Sequence, residues 1–420
     1  MSEVINNDTI VGLDIGTTKI CAIVGKKTQE GQIKIIGIGQ TPSKGLRKGV
    51  VINIDEAVAS IKMAVALAER MSGVKIESVY AGIAGGHIRS YNSSGVVAIK
   101  NLEVAESDIR RVIDAAKAVA IPPDREIIHI IPQEFIVDNQ GGIKDPRGMS
   151  GTRLEVRVHI VTGAVANVQN IVKCCQRSSL KVNNIVLQPI ASSQSIILPE
   201  EKDLGIGLID IGGGTTDVAV FVSNSIKHTS VISIGGDHIT NDIAIGLRTP
   251  FKEAEEIKKQ YGCAVSDVVD KSETVEIPGI GDRQSRSIQK CLLSDIIEPR
   301  FEEIFSLVKE NLDKAGVIPM LASGLVLTGG SALMEHAADL AEAEFSLPVR
   351  IGKPIGIIGL KDAVDNPMYA TGVGLVLYGF NQKSEENNFG FSENNSGGSN
   401  DDNLFSAILD KMKSWIKEMF

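Results

Sequence analysis

Cysteine is scarce in this sequence and shows no paired arrangement. Five is an odd number, and none of the cysteines belongs to a Cys-x-x-Cys motif. A disulfide scaffold needs paired cysteines, and a zinc site needs cysteine or histidine ligands at short spacing. His87, His129 and His159 lie too far apart along the chain to suggest such a site. We therefore expect a reducing compartment and no zinc. The cysteines are Cys21, Cys174, Cys175, Cys263 and Cys291.

Long apolar runs and an excess of positive charge are also missing. No stretch of about 18 apolar residues is present that would span a bilayer. The first residues, Met-Ser-Glu-Val-Ile-Asn-Asn-Asp, lack the basic and apolar regions of an export signal, so we expect none. The net charge is −9, whereas a general nucleic-acid binder relies on Lys and Arg to neutralise phosphates. We therefore expect no nucleic-acid partner.

What the sequence does contain is a glycine-rich turn between two apolar runs, at residues 204–221. The first run ends at Asp210, and the order predicts a strand, a tight turn and a second strand. Consecutive glycines let backbone N–H groups approach an anion, and a carboxylate beside a phosphate requires a divalent cation between them. The stretch therefore predicts a nucleotide site with Mg²⁺, and an ordinary glycine-rich hairpin is the alternative. The turn residues are Gly212, Gly213, Gly214, Thr215 and Thr216.

The same pattern occurs near the start of the chain, where Asp14 lies 196 positions before Asp210. In both copies an apolar run ends at Asp, Ile and Gly follow, and then come paired threonines and another apolar run. Internal repetition of this kind predicts a duplicated architecture. Two such halves facing one another would place Asp14 and Asp210 on opposite walls of one cleft.

Length and pattern predict the domain organisation. A chain of 420 residues exceeds what one core usually supports, so we expect two lobes. Short strands around one helix interrupt the first lobe and indicate a small α+β insertion. The predicted ranges are 8–84, 163–200 and 355–383 for the first lobe, 85–162 for the insertion, 201–246 and 315–354 for the second lobe, and 247–314 for its small subdomain.

Two further segments are candidates for contacts with a nucleoside. A strand that ends at Thr328 leads into Gly329, Gly330 and Ser331, and the exposed N–H groups of such a turn suit an adenine or ribose edge. A strand–turn–helix of purely structural use is the alternative. On a predicted helix, Glu255 and Lys258 share one face at i, i+3. Such a pair usually belongs to a solvated face, but here it could reach a ribose.

The composition changes after Phe380. Residues 384–403, rich in Asn, Ser, Glu and Gly, predict a disordered linker. Residues 404–420 then predict an amphipathic helix that is too short, and carries too many lysines, to cross a bilayer, so we expect it to lie in the membrane interface. A helix of this kind could instead dock on its own protein, although a disordered tether argues against that. Its apolar face comprises Leu404, Phe405, Ile408, Leu409, Met412, Trp415, Ile416, Met419 and Phe420.

In combination these segments resemble a known superfamily. Asp14-Ile-Gly-Thr-Thr, Asp210-Ile-Gly-Gly-Gly-Thr-Thr-Asp217 and Leu327-Thr-Gly-Gly-Ser331 look like the two phosphate loops and the adenosine loop of actin-like ATPases. The insertion, Ile130-Ile-Pro-Gln-Glu-Phe135, Pro189-Ile-Ala-Ser-Ser193 and the tail more narrowly resemble the FtsA family of bacterial cell-division proteins. The resemblance covers nearly the whole chain. It implies an α/β fold of two ribonuclease-H-like lobes, with the insertion, the linker and the terminal helix added.

The resemblance also implies a function. It is that of an ATP-binding protein that polymerises, joins other division proteins and tethers the tubulin-like FtsZ to the cytoplasmic face of the inner membrane at the division site. Asp14 and Asp210 would hold Mg²⁺ through water. In the small subdomain, Arg286 and Arg300 would suit an acidic partner peptide. The implied nucleotide contacts are Gly16, Thr17, Thr18, Lys19, Gly212, Gly213, Gly214, Thr215, Thr216, Glu255, Lys258, Gly329, Gly330 and Ser331.

One position departs from the related shape-determining filament proteins, which carry Glu before the proline where this chain has Gln188. Glutamine orients a water but cannot take its proton, so we expect at most weak hydrolysis, below about 1 s⁻¹, with ATP acting mainly as a polymerisation switch. Two alternatives stay open. A sugar or small-acid kinase would need a catalytic carboxylate in the cleft and has no use for a membrane helix. A reactivating ATPase would need a peptide-binding domain, and no such segment follows Phe380.

Overall fold

Two large β-sheets, one in each lobe, organise the structure. It is a computed structural model that describes residues 8–277 and 285–388, with side chains up to residue 384. In these residues no helix combines the length and the apolar composition needed to cross a bilayer. The last helix continues to Asn388, past the predicted start of the linker at 384. The rest of the linker and the predicted membrane helix, residues 404–420, lie outside the described residues.

The first lobe opens with an antiparallel hairpin whose strands are almost fully buried. Both strands are apolar because helices cover both faces of the sheet. The first helix approaches closely at Gly39, where a Cβ would lie 1.9 Å from the carbonyl oxygen of Ala64. Asn53 caps its start by accepting from two backbone N–H groups. The elements are β1 (Thr9–Ile15), β2 (Lys19–Lys27), β3 (Ile33–Pro42), β4 (Leu46–Arg47), β5 (Val50–Val51), α1 (Ile54–Ser72) and β6 (Ser78–Ile83).

The insertion is a four-stranded antiparallel sheet with one covering helix. Strand order is β7-β10-β8-β9. Ile109, Val112 and Ile113 on the helix are fully buried and share a separate apolar core with the sheet. Residues 85–162 therefore carry an α+β unit, as predicted. Its elements are β7 (Arg89–Ala98), α2 (Glu106–Lys117), β8 (Arg125–Val137), β9 (Gln140–Ile143) and β10 (Arg153–Ala164).

After the insertion the chain completes the first sheet and enters the second lobe. Gln188 begins the helix that follows the edge strand, with Pro189 in its first turn, where a missing N–H costs nothing. The second lobe opens with another buried hairpin. The elements are α3 (Val165–Arg177), β11 (Lys181–Leu187), α4 (Gln188–Ile196), α5 (Pro199–Leu204), β12 (Ile206–Ile211), β13 (Thr216–Val222), β14 (Ser225–Ile232) and α6 (Gly236–Gly246).

Residues 247–314 extend the second lobe without a core of their own. Leu293 and Phe301 belong to the same apolar cluster as Ile209 and Val220 of the central hairpin. The chain then finishes both sheets. The elements are α7 (Phe251–Tyr261), β15 (Thr274–Ile277), β16 (Arg286–Gln289), α8 (Lys290–Lys314), β17 (Leu325–Thr328), α9 (Ala337–Phe345), β18 (Val349–Ile351), β19 (Ile357–Gly359), α10 (Lys361–Val364) and α11 (Ala370–Asn388).

The two lobes repeat one topology. The first sheet runs β11-β6-β1-β2-β3-β19 and the second runs β18-β17-β12-β13-β14. In each sheet, three strands that follow one another in the chain pair antiparallel. Two later strands then add in parallel next to the first of the three. Between the sheets, α4 and α11 pack so closely that a Cβ at Gly374 would lie 1.9 Å from the carbonyl oxygen of Ala191. The predicted duplicated α/β fold is therefore confirmed.

A buried polar contact joins the insertion to the second lobe. His159 on β10 lies between Asn92 Oδ1 at 2.7 Å from its Nδ1 and Thr229 Oγ1 at 2.9 Å from its Nε2. A neutral ring satisfies both partners by donating to Asn92 and accepting from Thr229. Gln133 adds a bond to the Ile226 carbonyl oxygen at 2.7 Å. Burial lowers the pKa of His159 to about 3, so the ring stays neutral and holds this interface.

We expect this histidine to make stability fall in mild acid. Its folded pKa of about 3 lies below the usual value of about 6.5, so the unfolded chain takes up a proton first as the pH drops. The free energy of unfolding should therefore decrease between pH 6.5 and pH 4.5, by on the order of 1 kcal/mol per pH unit from this group. Urea unfolding across that range should give a shallower slope for His159→Gln. Equal slopes in the two proteins would contradict the assignment.

Candidate nucleotide site between the lobes

The two aspartate-bearing hairpins close with the same turn. In the first, the N–H of Gly16 donates to the carbonyl oxygen of Lys19 at 2.9 Å. In the second, the N–H of Gly212 donates to the carbonyl oxygen of Thr215, also at 2.9 Å. Each turn follows an aspartate at the carboxyl end of the first strand of its lobe. The sequence repeat is thus a repeat of local structure.

The hairpins face each other across one cleft. A Cβ at Gly213 would lie 2.3 Å from Thr18 Cγ2, and a Cβ at Gly214 would lie 2.6 Å from Thr17 Oγ1. Thr17 is held in place because its hydroxyl accepts from the N–H of Gly49 at 3.0 Å. Only glycine allows the second turn to approach the first this closely. The predicted phosphate-loop residues of the two lobes are therefore brought together.

Asp14 lies at the first-lobe wall of the cleft. The side-chain amide of Gln188 donates to its Oδ1 at 3.2 Å, and Lys19 Nζ lies 3.6 Å from its Oδ2. The same ammonium sits 5.0 Å from the centroid of the Tyr369 ring. Burial raises the pKa of Asp14, and Lys19 partly offsets the rise. Lys19 therefore serves as the cation beside this carboxylate.

Asp210 lies at the opposite wall but is held by helices of the first lobe. Its Oδ2 accepts from Ser192 on α4 at 2.8 Å and from Thr371 on α11 at 3.2 Å. Gly329, with φ of 86°, closes over the carboxylate, since a Cβ there would lie 2.5 Å from Asp210 Oδ1. Burial raises the pKa of Asp210, the bond from Ser192 opposes the rise and the charge of Asp14 adds to it, so that the pKa is about 6.

A third carboxylate, Asp217, was quoted in the motif but given no role by the sequence analysis. It pairs with Asp210 in the register of the hairpin, and its Oδ2 accepts from Thr215 Oγ1 at 3.0 Å. Its Oδ1 is buried without a hydrogen-bond partner. Burial, with the charge of Asp210, raises its pKa well above the usual value. Its position five residues after Gly212 can be read from the sequence, but its burial cannot.

The oxygen atoms at these walls suit a hard divalent cation. Mg²⁺ is usually bound through one or two carboxylates, phosphate oxygens and several retained waters. Asp14 and Asp210 supply two buried carboxylates whose pKa values are raised by burial, so that a further cation would favour their ionised forms. Among the described residues no group of three or more His, Cys, Asp or Glu could hold a metal directly. The residues therefore fit a water-mediated Mg²⁺ site.

The predicted nucleoside contacts also lie beside the second hairpin. Ser331 Oγ is 3.4 Å from the Gly212 carbonyl oxygen. Lys258 Nζ donates to the Gly236 carbonyl oxygen at 3.0 Å and pairs with Glu255 at 2.7 Å. Lys258 is only 8% exposed, so this pair does not belong to a solvated face. Because Lys258 holds Glu255 ionised and lowers its pKa despite burial, the pair fixes α7 against the turn.

Several predicted residues lie elsewhere or have other partners. The hydroxyl of Thr216 donates to the Ile234 carbonyl oxygen at 2.8 Å, and that of Thr215 donates to Asp217, so neither hydroxyl points at the cleft. Arg300 is bound bidentately by Asp242, at 2.6 and 3.0 Å. Arg286 is exposed and donates to the Leu247 carbonyl oxygen. The nine predicted membrane residues lie outside the described residues.

Solved structures with a similar fold match most of the chain. A PilM-PilN type IV pilus biogenesis complex matches with a TM-score of 0.64 at 16% identity, over 88% of this chain and 98% of that one. MreB5 of Spiroplasma citri bound to ADP matches with a TM-score of 0.56 at 16% identity, over 91% and 99%. At such identity the likeness shows the fold alone.

Sequence comparison identifies the family. Two family models match, "Cell division protein FtsA" over residues 207–374 and "SHS2 domain inserted in FTSA" over residues 85–162. Cell division protein FtsA of Pseudomonas aeruginosa is 48% identical over 100% of both chains, and that of Neisseria meningitidis is 46% identical over 97% of this chain and 98% of its own. FtsA of Escherichia coli is 41% identical over 90% and 92%. The chain therefore belongs to the FtsA family of bacterial cell-division proteins.

Proposed function

We propose that this division protein binds Mg-ATP between its lobes, polymerises, and tethers the tubulin-like protein FtsZ to the cytoplasmic face of the inner membrane. The observation that carries the proposal is the meeting of two matching turns, where Gly213 and Gly214 touch Thr18 and Thr17. Backbone N–H groups from both turns are available to cradle phosphates. A ligand gripped from both lobes would couple nucleotide binding to the relative position of the lobes.

The same cleft supports slow hydrolysis. Gln188 sits at the carboxyl end of β11, with its amide 3.2 Å from Asp14, where it would orient a water near the terminal phosphate. An amide cannot accept the proton of that water, so its contribution is positioning and not general base catalysis. Bound Mg²⁺ would neutralise the phosphates, and Asp14 and Asp210 would hold it through water. ATP then serves mainly as an assembly switch.

Membrane attachment is assigned to residues 404–420 by their sequence pattern. Nine apolar side chains on one face of a helix can enter the interface, and polymerisation makes many tails act together. We expect the protein to sediment with vesicles of anionic phospholipid, and Mg-ATP to raise the sedimented fraction. Chelation of Mg²⁺ should remove that increase. An unchanged fraction with and without Mg-ATP would contradict the switch.

FtsZ binding is assigned to the small subdomain, and the two predicted arginines are not equivalent there. Arg300 is already neutralised by Asp242, whereas Arg286 is exposed and, among the described residues, donates to the Leu247 carbonyl oxygen. Arg286 is therefore the better candidate for an acidic peptide. We expect Arg286→Glu to weaken binding of the acidic FtsZ tail peptide about fivefold, the scale of an exposed ion pair.

The matched control is Lys34→Glu, which reverses an exposed charge on β3 of the first lobe. Fluorescence anisotropy of a labelled tail peptide measures both. Equal affinities for Arg286→Glu and the wild type would place the FtsZ site elsewhere.

A further inference from the structure

The first helix carries an apolar stripe on its outer face. Met63, Leu67 and Met71 recur at i, i+4 and i+8, so they lie one above another along the helix. They are 57%, 41% and 56% exposed. The opposite face of α1 is buried against the sheet. We call these three side chains the α1 stripe.

A stripe of this kind is unusual on the outer face of a surface helix. Such helices normally present charged and polar residues to water and keep apolar residues for the core. Single exposed apolar side chains are common, but a contiguous set indicates a binding surface. The stripe therefore calls for an apolar partner that covers it at least part of the time.

The described chain ends near the same end of the strands as the carboxyl end of α1, although α11 and α1 cover opposite faces of the sheet. Near its end α11 places Ser384 Oγ 3.3 Å from Lys27 Nζ, at the last residue of β2. The carboxyl end of α1 packs at Gly37 of β3, where a Cβ would lie 2.7 Å from Ser72 Cβ. Since β2 and β3 are antiparallel and Lys27 pairs with Ile33, both helices run toward this end of the two strands. The helix α1 packs on the face of Gly37 and α11 on the opposite face at Gly25, so the tail must pass around the strand ends to reach the stripe.

The remaining chain is long enough to return to the stripe. Residues 389–403 number fifteen, and at about 3.3 Å each they extend to about 50 Å. That exceeds the roughly 30 Å diameter of a small domain. The segment that follows, residues 404–420, has an apolar face of nine side chains that needs cover whenever no membrane is present.

We infer that, away from a membrane, the terminal helix 404–420 docks by its apolar face on the α1 stripe of its own chain, and that a lipid surface competes it off. This rests on the proposed function, because it takes the terminal helix as the membrane-binding element. In the docked state, the apolar face of residues 404–420 is covered while the protein is unassembled. It also lowers the apparent affinity for lipid by the fraction of chains with a released helix.

The sequence supplies a reporter for the test. Trp415 is the only tryptophan, and it lies on the apolar face of the terminal helix. We expect its emission in the full-length protein, without lipid, to be that of a shielded indole and to be independent of protein concentration. Met63→Gln with Leu67→Gln should shift it toward the emission of a solvated indole and strengthen binding to anionic vesicles roughly three- to tenfold.

The matched control is Ile245→Gln, which changes an apolar side chain on the second lobe that is more exposed than Met63 or Leu67 and should alter neither readout. Emission in the wild type that already matches the double variant would overturn the inference. A blue shift that grows with protein concentration would also overturn it, since a second copy would then cover the helix. Failure of the membrane assignment itself is seen separately, as wild-type protein that does not sediment with vesicles.

Discussion

Gly214→Ala is expected to weaken Mg-ATP binding about 10- to 100-fold. A Cβ at residue 214 would lie 2.6 Å from Oγ1 and 2.9 Å from Cγ2 of Thr17, and 3.0 Å from the Cα of Lys48. Thr17 cannot rotate away without leaving the N–H of Gly49. The clash is relieved by separating the two turns, and overpacking of this kind costs about 1–3 kcal/mol. A ligand held from both sides loses that free energy, which calorimetric titration measures.

The matched control is Gly141→Ala in the insertion, where an added Cβ meets nothing closer than 3.6 Å. Gly141→Ala should bind Mg-ATP like the wild type and melt at the wild-type temperature, because residue 141 is exposed. If Gly214→Ala retained wild-type affinity for Mg-ATP, the two turns would not be the phosphate site.

Ending the chain at Asn400 is expected to abolish sedimentation with anionic vesicles. The deletion removes nine apolar side chains, each worth at most about 1.5–3 kcal/mol when fully buried in an apolar medium. Helix ordering and partial insertion offset much of that sum, but the remainder is enough for reversible binding. Nucleotide binding should stay unchanged, because the lobes end before the deletion.

Two single substitutions separate the contribution of apolar contact to membrane binding from the effect of added charge. Ile408→Asp and Ser406→Asp each add one negative charge two residues apart, but the first falls on the predicted apolar face and the second on the polar face. Only the first should weaken sedimentation, by about tenfold or more. A shortened chain that still pelleted with lipid would assign the anchor to the folded part of the protein.

The duplicated fold could be predicted because its signals are local. An apolar run, an aspartate, glycine and paired threonines recur within a few residues of each other, and each set specifies a strand, a turn and a strand whatever surrounds it. The closing bonds of Gly16 and Gly212 are the physical form of that recurrence. The change to short strands around one helix likewise predicts an inserted α+β subdomain, and the structure has such a unit with an apolar core of its own.

Features that depend on distant parts of the chain could not be predicted. The spacing of Glu255 and Lys258 leaves a solvated pair and a ribose contact both open, whereas in the structure α6 buries Lys258 against the Gly236 carbonyl oxygen. Arg300 was assigned to a partner, and Asp242, 58 positions away in sequence, holds it. The bonds to Asp210 come from Ser192, 18 positions away in sequence, and from Thr371, 161 positions away. Sequence spacing carries no information on such pairings.

Hydrogen bonds between the insertion and the second lobe connect the two lobes at a second place, away from the facing turns of the cleft. The insertion belongs covalently to the first lobe, yet Ser90 Oγ donates to the Thr229 carbonyl oxygen at 2.6 Å, and Lys144 Nζ donates to the Ser223 carbonyl oxygen at 2.6 Å. If one lobe rotates against the other, the insertion must shift along the second lobe, and these hydrogen bonds must break and re-form together. Because such hydrogen bonds form only at certain relative positions of the two elements, we expect the lobes to open between discrete positions and not continuously.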